Sequence, residues 1–485
     1  MSKVASSKSK GMEIPFPPRN EADWLALVAG GKGERLADLS WQSEGGIVLQ
    51  PIYGQRAAGT AIEARTGGRA WALVQRLDHP DPDKAAILAQ ADVLGGADVL
   101  ELVFEPSPHA HGAGLKLDPR ALQRAISLIP PDKIGLVVDA GENSLALGLA
   151  LAESPIAESP ISFAFDPLAT LAAKGGLERS LAAHYQEAAD RAPNSTALTL
   201  LIADGSIWHE AGASEVDELG IVLASLIAHL RALDGAGLEP AAALKRLGAR
   251  LACDTDQITT IAKFRAFRRL TARLCHALGL KQTKLPLQGV SARRMFSRRD
   301  PHMNVLRGGI AAFGAGIGGA DSICLLPFTA MLGLASPASS RLARNTQRLL
   351  IDETHLHFVA DPAQGGGAFE ALTDPLAQKA WRRMQEIERQ GGVHAALRSG
   401  EIQAAIERTN AARMVRLKEG KMSLIGVNAF EATMPASLDC EPFPPTVPAP
   451  GSARLEKALF DSVSPLHRRS LEDLAGDVAN RVRPA

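Results

Sequence analysis

The chain has 485 residues, 46% hydrophobic but only 4% aromatic, so alanine and the aliphatic side chains must fill a large core. Lys+Arg and Asp+Glu both number 53, a balance that leaves no electrostatic footprint for nucleic acid or an anionic membrane. Cys253, Cys275, Cys324 and Cys440 are scattered and form no C-x-x-C pair, which argues against a zinc or dithiol site and for reduced thiols in a cytoplasmic protein.

The chain opens on "MSKVASSKSKGMEIPFPPRN", rich in Ser, Lys and Pro, which reads as a mobile arm. It lacks the apolar centre of a signal peptide, and no later run approaches the roughly 18 apolar residues of a membrane span. From residue 70 short apolar runs recur: "WALVQRL", "VLELVF", "IGLVVDA", "ISFAFDP", "LTLLIAD", "ARLACD", "LPLQGVS" and "SICLLPF". Each is bounded by Gly, Pro or Asp, as a parallel strand buried on both faces should be. Helical patterns lie between them, several opening on Asp or Ser and closing on Gly. Eight strand–helix units predict a (β/α)8 TIM barrel, of which "ARLACD" is the weakest strand. Two more helices are expected after the barrel, beginning "DPLAQKAW" and "EIQAAIER", and then a Pro-rich tail with a short helix. The expected organisation is an arm over residues 1–50, a barrel with trailing helices over 51–430, and the tail over 431–485.

Few motifs carry chemistry. "GAGIGG" (Gly314 to Gly319) fits G-x-G-x-x-G, but it closes a helix and precedes a strand, the reverse of a dinucleotide fingerprint. Helix packing and a C-cap explain it better. His109 and His111, and His355 and His357, lack the i, i+4 spacing of paired metal ligands. "SARRMFSRRDP" packs four arginines after the seventh strand. It reads either as a solvated loop or as a carboxylate or phosphate clamp at the barrel mouth.

"RLARNTQRLLIDETHLHFVADPAQGGG", from Arg341 to Gly367, carries a family resemblance. It resembles the signature of the methylmalonyl-CoA mutase family at Arg341, Ala343, Arg344, Asn345, Thr346, Glu353, Asp361, Pro362 and Gly365, and departs from it at Leu342, Asp352, Phe358 and Gly367. "WHEAGASEVDELG", "IAKFRAFRRL" and "RRDPHMNVLRGGIAAFGAGIGGADSI" extend the resemblance over about residues 50 to 430. The resemblance implies the same barrel fold, with Arg341, Arg344 and Asn345 bracing it rather than touching substrate. It also implies radical rearrangement of acyl-CoA carbon skeletons on adenosylcobalamin.

The departures point away from catalysis by this chain. The Asp-x-His-x-x-Gly motif of the family's cobalamin domain is missing. Ser206 and Ile207 stand where the family's Tyr-His pair would orient a thioester, with His209 two residues late. Cys324, Leu325 and Leu326 replace a polar run, and Ala330 replaces a glutamate. Together with Leu200 and Leu201, these leucines are expected to fill the barrel axis. The chain therefore resembles the family's small, non-catalytic subunit. The expected partner is a larger subunit carrying adenosylcobalamin, no cofactor being bound here. Acyl-CoA is then met through the complex, and neither nucleic acid nor membrane is a partner. Arg293, Arg294, His209 and His302 are the candidate substrate contacts. The alternatives are a substrate-binding subunit of a split mutase whose cobalamin domain is a separate chain, and a barrel turned to unrelated chemistry through the arginine loop and His109, His111 or His302.

Overall fold

The structure is a computed structural model that describes residues 19–30, 36–54, 62, 65–130, 134–152, 160–193, 195, 197–432, 438, 440–444 and 459–482. Residues 1–18 and 31–35 of the expected N-terminal arm and the centre of the Pro-rich tail lie outside the described residues. Helix α1 (Glu21–Gly30) and a ribbon of β1 (Trp41–Gln42) and β2 (Val48–Leu49) precede the barrel.

The barrel strands are β3 (Ala72–Leu77), β4 (Val99–Val103), β5 (Gly135–Asp139), β6 (Ile161–Phe163), β7 (Leu201–Asp204), β8 (Leu247–Cys253), β9 (Leu287–Ser291) and β10 (Ser322–Cys324). All pairings are parallel, in the order β6-β5-β4-β3-β10-β9-β8-β7. Three backbone bonds close the seam between β6 and β7: Leu198 N to Ile161 O at 2.8 Å, Phe163 N to Thr199 O at 3.1 Å and Ile202 N to Phe165 O at 3.0 Å. This is the eight-stranded barrel expected from the strand count. The weak "ARLACD" run lies in β8, at 7 residues the longest strand, and Arg250 is what interrupts its apolar pattern.

The outer layer comprises α2 (Pro82–Leu94), α3 (Pro119–Ala125), α4 (Ser144–Ala152), α5 (Pro167–Lys174), α6 (Leu181–Arg191), α7 (Gly205–Ala211), α8 (Glu215–Gly235), α9 (Pro240–Leu244), α10 (Gln257–Ala277), α11 (Met303–Gly318) and α12 (Pro337–Arg348). Asp81, Asp118, Asp166, Ser180, Asp204, Ser214, Asp256 and Ser336 accept backbone N–H bonds at the starts of their helices. Those bonds satisfy donors that the helix itself leaves free. The glycines of α11 do what their helix-closing position implies. A Cβ on Gly316 would lie 2.8 Å from Trp71, and Gly319 caps the helix at φ 93°.

Beyond the barrel, α12 runs into a π turn over Leu349–Glu353. Helix α13 (Gly367–Arg389) starts before the expected "DPLAQKAW" and contains Pro375, whose missing N–H costs it one internal bond near its first turns. Then come α14 (Val393–Ser399) and α15 (Glu401–Lys418). Strand β11 (Gly333–Leu334) pairs with β12 (Glu441–Pro442). Residues 459–470 form an irregular strap over the barrel's C-terminal face. It is held by Phe460 N to Leu177 O at 2.8 Å, Val463 N to Gly175 O at 3.0 Å and Leu466 N to Ala172 O at 2.8 Å. The strap leads into α16 (Leu471–Val482), whose Leu474 packs with Leu417, Leu424 and Val427.

Aliphatic side chains fill much of the layer between barrel and helices. Leu201 is fully buried, and Leu325 packs against Gly308 of α11. Leu201→Ala and Leu325→Ala should each cost about 2–5 kcal/mol, because little around them can collapse into the space. Denaturant midpoints compared with the parent protein would measure this; a loss under about 1 kcal/mol would mean the sites relax.

Candidate functional site

Side chains alternate along a strand, and parallel neighbours in register face the same side. The residues facing the axis at the upper end of the barrel therefore include Arg76 beside Glu101, Asp139 beside Val103, and Asp204 beside Arg250 beside Gln288. Arg250 is 1% exposed. Its guanidinium donates to Glu101 Oε1 at 2.5 Å, Gln288 Oε1 at 2.8 Å, Asp204 Oδ2 at 3.3 Å and Asp139 Oδ2 at 3.5 Å. Burial alone would lower its pKa, but the three carboxylates outweigh that and raise it. Asp139 is held low in the same way: His109 and Arg250 overcome its burial.

His109 reaches in from the loop after β4. Its Nδ1 lies 2.8 Å from Asp139 Oδ2, and its Nε2 lies 3.2 Å from Ser206 Oγ and 3.4 Å from Asp204 Oδ2. Asp139, His109 and Ser206 thus stand in the order of a proton relay. Ser206, however, is 3% exposed, and its hydroxyl donates to Asp204 Oδ1 at 2.6 Å. The arrangement locks the axis instead of presenting a nucleophile.

This corrects the expectation of a leucine-filled axis. The axis is filled, but by ions. Leu201 and Leu325 face the helices, while Leu326 lines the mouth with Arg76, His111 and Arg293 around a cavity of about 30 Å³. A small-molecule pocket is usually roughly 300–1,000 Å³. The carboxylates and Arg250 were missed because Asp139 and Asp204 read as strand ends, and Glu101 and Arg250 as blemishes in apolar runs. A charge inside a run otherwise buried on both faces was the available signal.

A second buried network lies between β8 and the trailing helices, and it contains two of the sequence candidates. His209 Nδ1 is 3.1 Å from Glu218 Oε2, and its Nε2 is 3.1 Å from Asp254 Oδ2. Lys263 Nζ donates to Glu218 at 2.6 Å. Arg294 turns inward, donating to the carbonyls of His209 at 2.7 Å and Ala213 at 3.3 Å and to Asp254 at 3.3 Å. Arg413 of α15 donates to Glu44 at 2.5 Å and to Gly212 O at 2.7 Å, tying the "EAGA" turn to the chain's first ribbon. Burial pushes the Glu218 carboxyl up, yet Lys263 and His209 hold it at about 2.

Other candidates scatter. Arg293 sits at the mouth, its guanidinium on Ala330 O at 2.8 Å and over the Phe443 ring at 5.5 Å. His302 stacks on Phe328 at the start of α11. Arg344 braces α12 to α2 through Asp92 at 2.5 Å, whereas Arg341, Asn345, Glu353 and Pro362 are exposed. Asp361 receives Arg265 Nε and Nη2, both at 3.0 Å. His355, at φ 53°, stacks on Phe358. Among the described residues, no three or more His, Cys, Asp or Glu side chains are placed to hold a metal ion, and no helix is long and apolar enough to cross a membrane.

Fold and site together define an eight-stranded parallel α/β barrel whose upper axis is closed by an ion network. The family model described as methylmalonyl-CoA mutase matches residues 129–484. The methylmalonyl-CoA mutase small subunit of Streptomyces virginiae is 34% identical over 466 residues, covering 89% of this chain and 74% of that protein. The small subunit of Propionibacterium freudenreichii subsp. shermanii is 32% identical over 380 residues, 76% of this chain and 58% of that one. The large subunit from the same organism is 33% identical over 238 residues, 48% of this chain and 33% of that one. The chain belongs to the methylmalonyl-CoA mutase family, in its small-subunit branch. The matched part thus spans less than two thirds of the Propionibacterium small subunit. The family's corrin cofactor does not fit this barrel mouth, where Arg293, Leu326 and Phe443 leave about 30 Å³.

Glu218→Gln would leave Lys263 buried without its counter-charge and should cost about 3–5 kcal/mol. The pH dependence follows. Glu218 titrates at about 2 when folded against 4.5 unperturbed, so its stabilisation is present above 4.5 and drains away as pH falls toward about 2. Unfolding midpoints of the parent should therefore fall more steeply than those of the variant over that window. Parallel curves would refute the assignment.

Proposed function

We propose that this chain is the non-catalytic small subunit of an adenosylcobalamin-dependent methylmalonyl-CoA mutase, interconverting methylmalonyl-CoA and succinyl-CoA only as part of a complex. Its partner is a larger subunit that holds the cofactor and performs the chemistry. The observation that carries this reading is the ion network around Arg250, which occupies the axis along which a substrate arm would have to run. Three further features support it. Ser206 is committed to Asp204, Ile207 is buried at 2% exposure, and Ala330 offers only its carbonyl, which Arg293 occupies. What the barrel supplies is a rigid body.

Activity should then reside wholly in the partner and need this chain for stability. Co-expression with a cobalamin-binding mutase subunit should give a 1:1 complex. Arg250→Met in this chain should lower the complex's thermal midpoint yet leave kcat per assembled complex within about twofold, because no substrate passes this axis. Loss of kcat with assembly intact would instead assign catalysis to this chain. Failure of the pair to associate would sink the subunit reading.

A further inference from the structure

The C-terminal face carries a second opening that the Arg250 network does not use. A groove of about 480 Å³ lies between the loop after β4, the end of α5, α7 and the strap. That volume falls within the roughly 300–1,000 Å³ of small-molecule sites. Its walls are apolar, with Pro106, Pro108, Ile207 and Leu466, and its charged groups are Lys174, Arg468 and Glu105. Glu105 is already matched by Lys116 at 2.9 Å. Among the described residues, neither Lys174 nor Arg468 has a carboxylate partner. Arg468 rests on neutral acceptors only, a ring nitrogen of His111 and the carbonyl of Pro108.

Further cations lie nearby and are partly matched: Arg76 pairs with Asp78 at 2.7 Å, and Glu210 accepts the Arg293 backbone N–H at 2.6 Å. His111 borders the adjoining small cavity together with Arg293 and Arg76. Burial, and then Arg468, Arg293 and Arg76, push the His111 pKa well below its ordinary value. Burial, and then Arg76, bring Arg293 down to about 10. Among the described residues Arg468 is nonetheless left without a carboxylate of its own, and a guanidinium fork matches an oxyanion in shape as well as charge. Arg468 also belongs to the strap, so whatever it binds on the barrel side holds the strap down.

We propose that this groove binds a small organic oxyanion, a phosphate ester or carboxylate with an apolar body, through Arg468 and Lys174, and that its binding fastens the strap across the barrel face. The site goes beyond the proposed subunit role and needs no partner chain.

The test uses the full chain, with phenyl phosphate and benzoate as probes and sodium chloride at matched ionic strength as the control. Calorimetry should show saturable one-site binding of at least one probe. Arg468→Gln and Lys174→Gln, both at exposed positions and checked for folding by circular dichroism, should each weaken it roughly tenfold or more. Amide exchange over residues 459–470 should slow when the probe is bound to the parent and not to Arg468→Gln. Binding of phenyl phosphate alone assigns a phosphate site, and of benzoate alone a carboxylate site. If neither probe saturates, or if both variants bind as the parent does, the proposal fails.

Discussion

Arg250 keeps a positive charge in the barrel axis at 1% exposure, and that charge has to be matched where it stands. An isolated ion in such surroundings costs several kcal/mol, and no water reaches it in bulk. Glu101 from β4, Asp139 from β5 and Asp204 from β7 provide the match, so one side chain on β8 draws on three other strands. The geometry leaves little freedom. Gln288 and His109 are already committed to the same set. A barrel built on this knot cannot keep an open channel through its upper axis.

The same logic governs the outer layers. Each cation of "IAKFRAFRRL" has a structural partner. Lys263 meets Glu218, Arg265 meets Asp361 and Glu370, and Arg268 meets Asp321 and two backbone carbonyls. The segments that carry the family resemblance are thus largely the polar bracing of the barrel. Such bracing depends on direction and reach, so it tolerates substitution less than an aliphatic core does.

How much of this was legible before the structure depended on which residues carried the signal. The eight strands could be read because each apolar run was punctuated by Gly, Pro or Asp, and the helix starts because Asp and Ser cap them. The glycines of α11 could be placed from their position at a helix end. The contents of the axis could not be read. A run such as "LTLLIAD" does not say which of its residues face inward, and Leu201 and Asp204 turn out to face opposite ways. His209 and Arg294 were singled out as candidate substrate contacts; both reach Asp254, His209 also meets Glu218, and Arg294 donates to the His209 carbonyl. Asn345 and Arg341 matched the signature yet are exposed.

The strap has a temporal consequence. Residues 459–470 bond to residues 172–177 and reach α16 only after every barrel strand. On a ribosome adding roughly 5–20 residues per second, the chain between β10 and Arg468 takes on the order of ten to thirty seconds to emerge. During that interval the barrel's upper face has no cover, and the groove beside Ile207 lacks its fourth wall. The order of synthesis thus brings the strap after every barrel strand and just ahead of α16, and anything settled on that face beforehand would be enclosed rather than admitted.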